Sequence, residues 1–379
     1  DVLGRAGAWC GQNKYLSAIK NAFQNFMPLT IAGAIGVLWC NVLVNDQTGL
    51  GLFFKPIMAL DFLNPAFQAV NFCTISCITV GITLGIAQEI GIWNMGAEKA
   101  GYIPGLVGLA AWLSVTNTSH MVDGAKEAFT GIAGNELGAT GLFTGMIIGV
   151  LSVELFCFFE KQDALKIKMP EQVPPGVARA FEVLVPATIT LIITACIGSA
   201  CYNLTGLYLN DVIKNGIQGP LGAVGATIPG VMIIYLVIML FWLVGIHGNN
   251  MLSAVKEALF TPLALENVEA FNKGETPKNI INMYFLQMTG EFGGSGVTIG
   301  LVIAIMIFSK REDNKAIATL SLVPGLFNIN ETVTFGIPMV LNPILGIPFV
   351  FACLVTIIVG YVLTVIGFCP VACLTVPWT

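Results

Sequence analysis

The sequence predicts an all-α, polytopic membrane protein, and three observations carry that prediction. Hydrophobic residues make up 55% of the 379 positions and charged residues only 10%, against about 25% charged in a soluble domain. Apolar runs close to the ~20 residues needed to cross the hydrocarbon core recur along the chain. Forty-two glycines and eighteen prolines suit closely packed, interrupted helices better than plain rods. The net charge of −5 is spread over the connections with no basic tract, which excludes nucleic acid as a partner. Cysteines Cys40, Cys73, Cys77, Cys157, Cys196, Cys201 and Cys353 sit in apolar runs, where a reduced thiol behaves as a small buried hydrophobe. Only His120 and His247 could join them, so zinc and disulfide readings are both poor, and no metal or cofactor is expected. The opening DVLGRAGAWCGQ lacks the layout of a cleaved signal and carries no Met, so the start is expected to be missing.

In chain order, a lead-in with Arg5, Lys14 and Lys20 precedes a first apolar run, Phe23 to Val44, and this positive charge predicts a cytoplasmic N-terminus. A second run covers Phe67 to Ile90 and a third Gly101 to Thr116. A polar insertion then separates the third from a fourth, Leu142 to Phe159. Lys161, Lys166 and Lys168 follow, which agrees with a return to the cytoplasm after four crossings. Pro170 to Leu184 reads as a connector with an interfacial amphipathic helix. The fifth run is Val185 to Leu204 and the sixth Ala223 to Ile246. Beyond it the segments GIHGNNMLSAVKEALFTPLALENVEAF and NIINMYFLQMTGEFGGSG are too polar or too short to cross simply. Val297 to Phe308 spans only about twelve residues, too few for a full crossing. A last long run, Ile344 to Cys369, leads to a terminal segment that stops without a closing loop. The expected organisation is a scaffold or dimerisation half, 1–205, and a substrate-binding half of broken helices, 206–379.

The candidate site lies in that second half. Glu331 stands in GLFNINETVTFGIP, flanked by Asn328 and Asn330 and bracketed by Pro324, Gly325, Gly336 and Pro338. Such backbone predicts a re-entrant loop, which survives at membrane depth only where protein or a watery cavity satisfies its amides and carbonyls. A carboxylate there costs at least ~2.5 kcal/mol unless paired, protonated or hydrated, and embedded ionisable groups point to function. The bland alternative is an acid capping a half-helix. Glu291 in TGEFGGSG reads equally as a site acid or a turn residue. His247 lies in GIHGNN, where Gly245 and Gly248 clear space and Asn249 and Asn250 offer amide donors and acceptors suited to a hydroxyl-rich ligand. Glu89 and Glu154, near span ends, read as structural. GGSG and NELGATG lack the features of a phosphate loop. Trp378 reads as a sugar-stacking ring or part of an interfacial belt.

Taken together, GIHGNN, FGGSG, FNINETVTFGIP and the terminal VPWT, with MPLTIAGA (Met27 to Ala34) and NELGATGLF (Asn135 to Phe143) in the same order, resemble the enzyme IIC permeases of bacterial phosphoenolpyruvate-dependent sugar phosphotransferase systems. The likeness is to the lactose/cellobiose/diacetylchitobiose branch. The resemblance implies a homodimer in the cytoplasmic (inner) membrane, surrounded by lipid, with about ten spans, two re-entrant hairpins and interfacial helices. It implies a disaccharide substrate whose 6-hydroxyl is held by His247 and Glu331, with Trp378 forming part of the sugar site and Asn135 near it. Asn249, Asn250, Asn330 and Glu291 complete the expected set. The phosphoryl donor is then a phosphocysteine on a separate enzyme IIB, itself served by enzyme IIA. The chain ends before that family's last span.

Phosphoryl transfer through a loose transition state asks mainly for positioning and for a group to take the hydroxyl proton. Glu331 is the expected acceptor and His247 the orienting group. No cysteine here sits in the charged, partly exposed setting of a reactive thiolate. The residues alone leave two other classes open: an ion-coupled secondary transporter using Glu331 and Glu291, and a membrane enzyme without transport.

Overall fold

The computed structural model describes residues 9, 12–46, 49–120, 129–170, 172–326, 328–337, 339 and 342–374. Among these the regular structure is helical apart from one antiparallel ribbon in the polar insertion, Ser119–His120 against Phe129–Thr130. Among the described residues five helical segments are long and apolar enough to cross a membrane, Lys14–Leu43, Lys55–Met95, Thr140–Glu160, Pro175–Thr205 and Ile344–Val365, and the expected sixth run falls on a pair, Leu209–Ala223 and Ile228–Leu243, bent by 76° at its break. Two shorter apolar helices, Ile103–Val115 and Thr298–Phe308, accompany them. By its internal contacts the chain divides into two compact units, Lys14–Pro220 and Leu221–Thr379 together with Asp1–Asn13.

The first unit is built around α3 (Ile78–Met95), whose Ile82, Ile86 and Ile90 are wholly buried. Against it pack α1 (Lys14–Leu38), α4 (Ile103–Val115) and α5 (Ala139–Glu160), while α2 (Asn64–Cys73) lies along α1 and α6 (Pro175–Thr205) covers α4 and α5. Small residues make this closeness possible. A Cβ at Gly108 of α4 would run into Ala87 of α3, and one at Gly145 of α5 into Thr83, which is how helices associate where lipid offers no hydrophobic driving force. Positive φ at Gly96 (84°) and Gly101 (51°) turns the chain between α3 and α4, a conformation glycine adopts without steric cost.

Three boundaries differ from the sequence reading. The first helix begins at Lys14 rather than Phe23, because Lys14 is no solvated lead-in: its Nζ pairs with Glu154 at 2.6 Å, and Asn21 donates to Glu89 at 2.8 Å. The second run is broken at Thr74, whose backbone leaves the helical region (φ −115°, ψ −88°) and whose hydroxyl donates back to the Val70 carbonyl at 2.6 Å. The expected interfacial connector and fifth span are one helix of 31 residues, α6, which starts on Pro175 and ends on left-handed Gly206. Arg179 and Glu182, which made its first turns look amphipathic, are spent inside the unit. Arg179 donates to Glu160 at 2.8 Å and to Glu182 at 2.7 Å, and Lys99 adds a further pair to Glu160 at 2.8 Å. The cysteine expectation also needs correcting. Cys157 and Cys353 are buried, but Cys73 and Cys196 are exposed, since an apolar run in a membrane protein can turn its outer face to lipid.

The second unit is discontinuous by construction. It contains α7 (Ile228–Leu243), α8 (Gly248–Asn272), α9 (Met283–Gly290), α10 (Thr298–Phe308), α11 (Glu312–Leu326), α12 (Glu331–Gly336) and α13 (Pro343–Val365). The polar segment after the sixth run, which the sequence leaves without a simple crossing, folds into the 25-residue α8. Helix starts are capped by side chains: Thr227 for α7, His247 for α8, Asn282 for α9 and Asn342 for α13. Such caps satisfy amides that have no partner inside the helix. α13 packs on α7 and α9, and α11 packs along α10 and α12. Breaks at 291–297 and 328–330 interrupt the helices; Gly293, Gly294 and Gly296 mark the first, whereas Pro324 and Gly325, expected to break the chain ahead of Glu331, lie inside α11.

The buried ion-pair cluster of the first unit yields a test. Glu160 is 1% exposed at its side chain, so Glu160→Gln leaves Lys99 unpaired and Arg179 with Glu182 alone. Because Lys99 is half exposed and Arg179 keeps Glu182, a loss of about 1–2 kcal/mol is expected, read as a lower midpoint in detergent-solubilised unfolding.

A polar junction of three broken loops

The second unit brings together three segments far apart in the chain, GIHGNN at the start of α8, EFGGSG between α9 and α10, and NIN ahead of α12. Ser295 is the meeting point. Its hydroxyl accepts a hydrogen bond from Asn249 Nδ2 at 2.8 Å, and its carbonyl accepts one from Asn330 Nδ2 at 2.8 Å. A third link runs from the Gly293 amide to Asn328 Oδ1 at 2.7 Å. Ser295 and Asn330 are buried, at 4% and 3% exposure.

Local conformation explains why these residue types occur here. Gly293, Gly294 and Gly296 have φ of 73°, 93° and 78°, and Asn328 has 61°, a region open to glycine and tolerated by asparagine. Val297 is held at φ 54°, which costs a β-branched residue about 1–3 kcal/mol and persists only where the surroundings over-determine it. Gly294 also has no room for a side chain, since a Cβ there would lie 2.5 Å from that of Asn330.

His247 caps α8: its Nδ1 accepts from the Asn250 amide at 3.2 Å, and its ring lies 4.4 Å from that of Trp242, centroid to centroid. An Nδ1 that accepts carries no proton, so the neutral ring holds its hydrogen on Nε2 and presents a donor there. Asn250 is exposed and contributes this amide.

Behind the junction lies an ion pair that sequence reading missed. Lys256, 5% exposed, pairs with Glu291 and donates to Asn249 Oδ1 at 3.2 Å. Tyr235, 1% exposed, donates to the same Glu291 oxygen, Oε1, at 2.7 Å. The sequence did carry a signal: Lys256 follows Asn249 by seven residues, two helical turns, and so shares its face. Tyr235 is a hydroxyl-bearing ring within an apolar helix, and a buried Tyr of this kind needs a partner.

Of the expected site residues, Asn249, Asn330 and Glu291 are joined by this network and His247 adjoins it through the first turn of α8. Glu331 is the first residue of α12, directly after Asn330; its side chain lies outside the described residues. Asn135 belongs to a short helical turn, Gly134–Leu137, of the first unit, and its side chain likewise lies outside them, as does all of Trp378. The segment leading towards Trp378 is anchored at Ala372, whose carbonyl accepts from Asn267 and Asn282, each at 3.0 Å.

Comparison with known proteins matches residues 20–353 to the family model for the EIIC component of the phosphotransferase system. The chain belongs to that family. It is 34% identical over 97% of its length, and 81% of the relative's, to an oligo-beta-mannoside-specific EIIC component of Bacillus subtilis. It is 29% identical to a cellobiose-specific EIIC component of Lactococcus lactis over 97% of this chain and 86% of that one. The crystal structure of the transporter ChbC, the IIC component of an N,N'-diacetylchitobiose-specific phosphotransferase system, superposes with a TM-score of 0.88 and 30% identity, covering 98% of this chain and 86% of that chain. The expected family and all-α membrane fold are therefore established for this EIIC chain.

The packed Gly294 makes the junction testable. Gly294→Ala is expected to push Asn330 away and weaken sugar binding about tenfold, equivalent to ~1.4 kcal/mol, while helix content is unchanged. Equilibrium binding to the purified chain, alongside far-UV circular dichroism, measures both.

Proposed function

We propose that this EIIC chain carries a β-linked disaccharide across the bacterial inner membrane and presents its 6-hydroxyl for phosphorylation by the phosphocysteine of a separate enzyme IIB, recharged through enzyme IIA. The observation that supports this reading most is the Asn249–Ser295–Asn330 link, which fastens the turn bearing His247 to the loop from which Glu331 starts α12. The relatives named for oligo-beta-mannoside, cellobiose and N,N'-diacetylchitobiose support an oligosaccharide of this kind as the substrate. The working molecule is taken to be a homodimer, as the family resemblance implies, with a cytoplasmic N-terminus, a reading supported by Arg5 ahead of the first span and by Lys161, Lys166 and Lys168 after the fourth run.

The chemistry follows from the two groups. His247, with Nδ1 occupied by the Asn250 amide, donates through Nε2–H to the sugar's 6-oxygen and orients a lone pair at the phosphorus. Glu331 takes the hydroxyl proton as the O–P bond forms and the S–P bond to the donor cysteine breaks; the cysteine leaves as thiolate. Little covalent work is asked of this chain, since the rate comes from placing the oxygen in line. Asn249, Asn250, Asn330, Asn135 and Trp378 are assigned to the remaining hydroxyls and the sugar face, with Glu291 supporting them from the polar network.

Two experiments bear on this. Glu331→Gln, assayed in vesicles with phosphoenolpyruvate and the soluble components, is expected to lower phosphorylation-coupled uptake at least ~100-fold, the scale of a general-base contribution, and to weaken binding; wild-type uptake would remove Glu331 from the site. A 6-deoxy analogue of cellobiose, changed on the ring that accepts phosphate, is expected to bind about tenfold or more weakly, because buried partners lose their hydrogen bond. Equal affinity for the two sugars in a competition assay would refute the proposed orientation.

A further inference from the structure

We infer that Lys256 is a positioning residue for phosphoryl acceptance, acting through Asn249 to hold His247 and the Glu331 loop in one register. The inference rests on the function proposed above and adds a residue that touches neither sugar nor phosphate. A continuous path of polar contacts starts at Tyr235 and Glu291, passes through Lys256 to Asn249 Oδ1, leaves Asn249 Nδ2 for Ser295 Oγ, and returns from the Ser295 carbonyl to Asn330. Its far end is the residue peptide-bonded to Glu331, and Asn249 lies two residues from His247. Every hydrogen bond in the path fixes the next. With its Oδ1 held by Lys256, the Asn249 amide group can aim only its Nδ2 at Ser295, because the carboxamide is planar and its two ends differ in hydrogen-bonding sense.

The charge on Lys256 is balanced on the spot by Glu291. The pair is nearly dry, with side-chain exposures of 6% and 18%. Such a pair is weak evidence of stabilisation, since well-packed apolar residues often serve a fold as well, and its best-attested use is to specify one arrangement among several. Here the arrangement specified is that of three loops whose glycines and left-handed residues would otherwise permit others. Tyr235 and Lys256 stand on α7 and α8, two longer helices, so the loops take their register from rigid elements.

A positioning role and a purely structural one separate in a phosphorylation assay with purified phospho-IIB and cellobiose. Lys256→Met is expected to lower kcat by about 10- to 100-fold, the cost of misplacing reacting groups by ~1 Å, with KM within about threefold of wild type. Lys256→Arg keeps the cation and a donor and is expected to recover most of the lost kcat. The double variant Lys256→Met/Glu291→Gln removes both charges together. It is expected to restore the folded yield of the single variant without restoring kcat, because Asn249 still lacks its donor. Wild-type kcat in Lys256→Met, or recovery of both yield and kcat in the double variant, would overturn the inference and leave the pair a structural one. A wild-type chain that takes no phosphoryl group from phospho-IIB onto cellobiose would instead overturn the proposed function itself, and this assignment with it.

Discussion

Backbone that is not helical at membrane depth must find every hydrogen-bond partner inside the protein, and this requirement shapes the second unit of the chain. Its helices stop short at Gly290, Leu326 and Gly336, and each stop frees amides and carbonyls that need partners within the protein. Asparagine meets the demand repeatedly because one side chain offers both a donor and an acceptor. Asn282 caps α9 while donating to Ala372; Asn267 bridges Asn279 and Ala372; Asn328 and Asn330 stitch one loop to another. A polar cavity for a sugar needs the same groups, so the residues that make broken helices tolerable are also those that can recognise hydroxyls.

The first unit meets a different version of the same constraint. Its helices are mostly unbroken, and several of its charges are held in internal pairs, Lys14 with Glu154, and Glu160 with Lys99 and Arg179. Glycines set α3 close to α4 and α5, so that packing takes over the role that water plays in driving soluble helices together. Beyond α5, Lys166 donates to Asp163 at 3.1 Å and holds the Asp163 carboxyl below the usual carboxylate range.

Much of this architecture could be read from residue order. The apolar runs, the breaks at GGSG and NIN, and the pairing of GIHGNN with the Glu331 segment as a family pattern were all visible as composition and motif, because spanning length and helix breaking are local properties. Boundaries were less accessible where a charged residue turned inward. Lys14 and Arg179 looked like interface residues, yet their partners, Glu154 and Glu160, lie more than a hundred residues away for the first and on a neighbouring helix for the second, so α1 and α6 run longer than their apolar cores.

By itself, then, the amino-acid order determined that this is a helical membrane protein of the EIIC type, since hydropathy, glycine and proline content and short motifs need no knowledge of what touches what. It could also nominate Glu331, His247, Asn249, Asn330 and Glu291. It could not assign Ser295 as the junction, or Lys256 and Tyr235 as partners of Glu291, because those roles arise from contacts across 35 and 56 residues of chain. A buried lysine looks unremarkable on a helix until the fold supplies its counter-charge, and only folding brings that carboxylate to it.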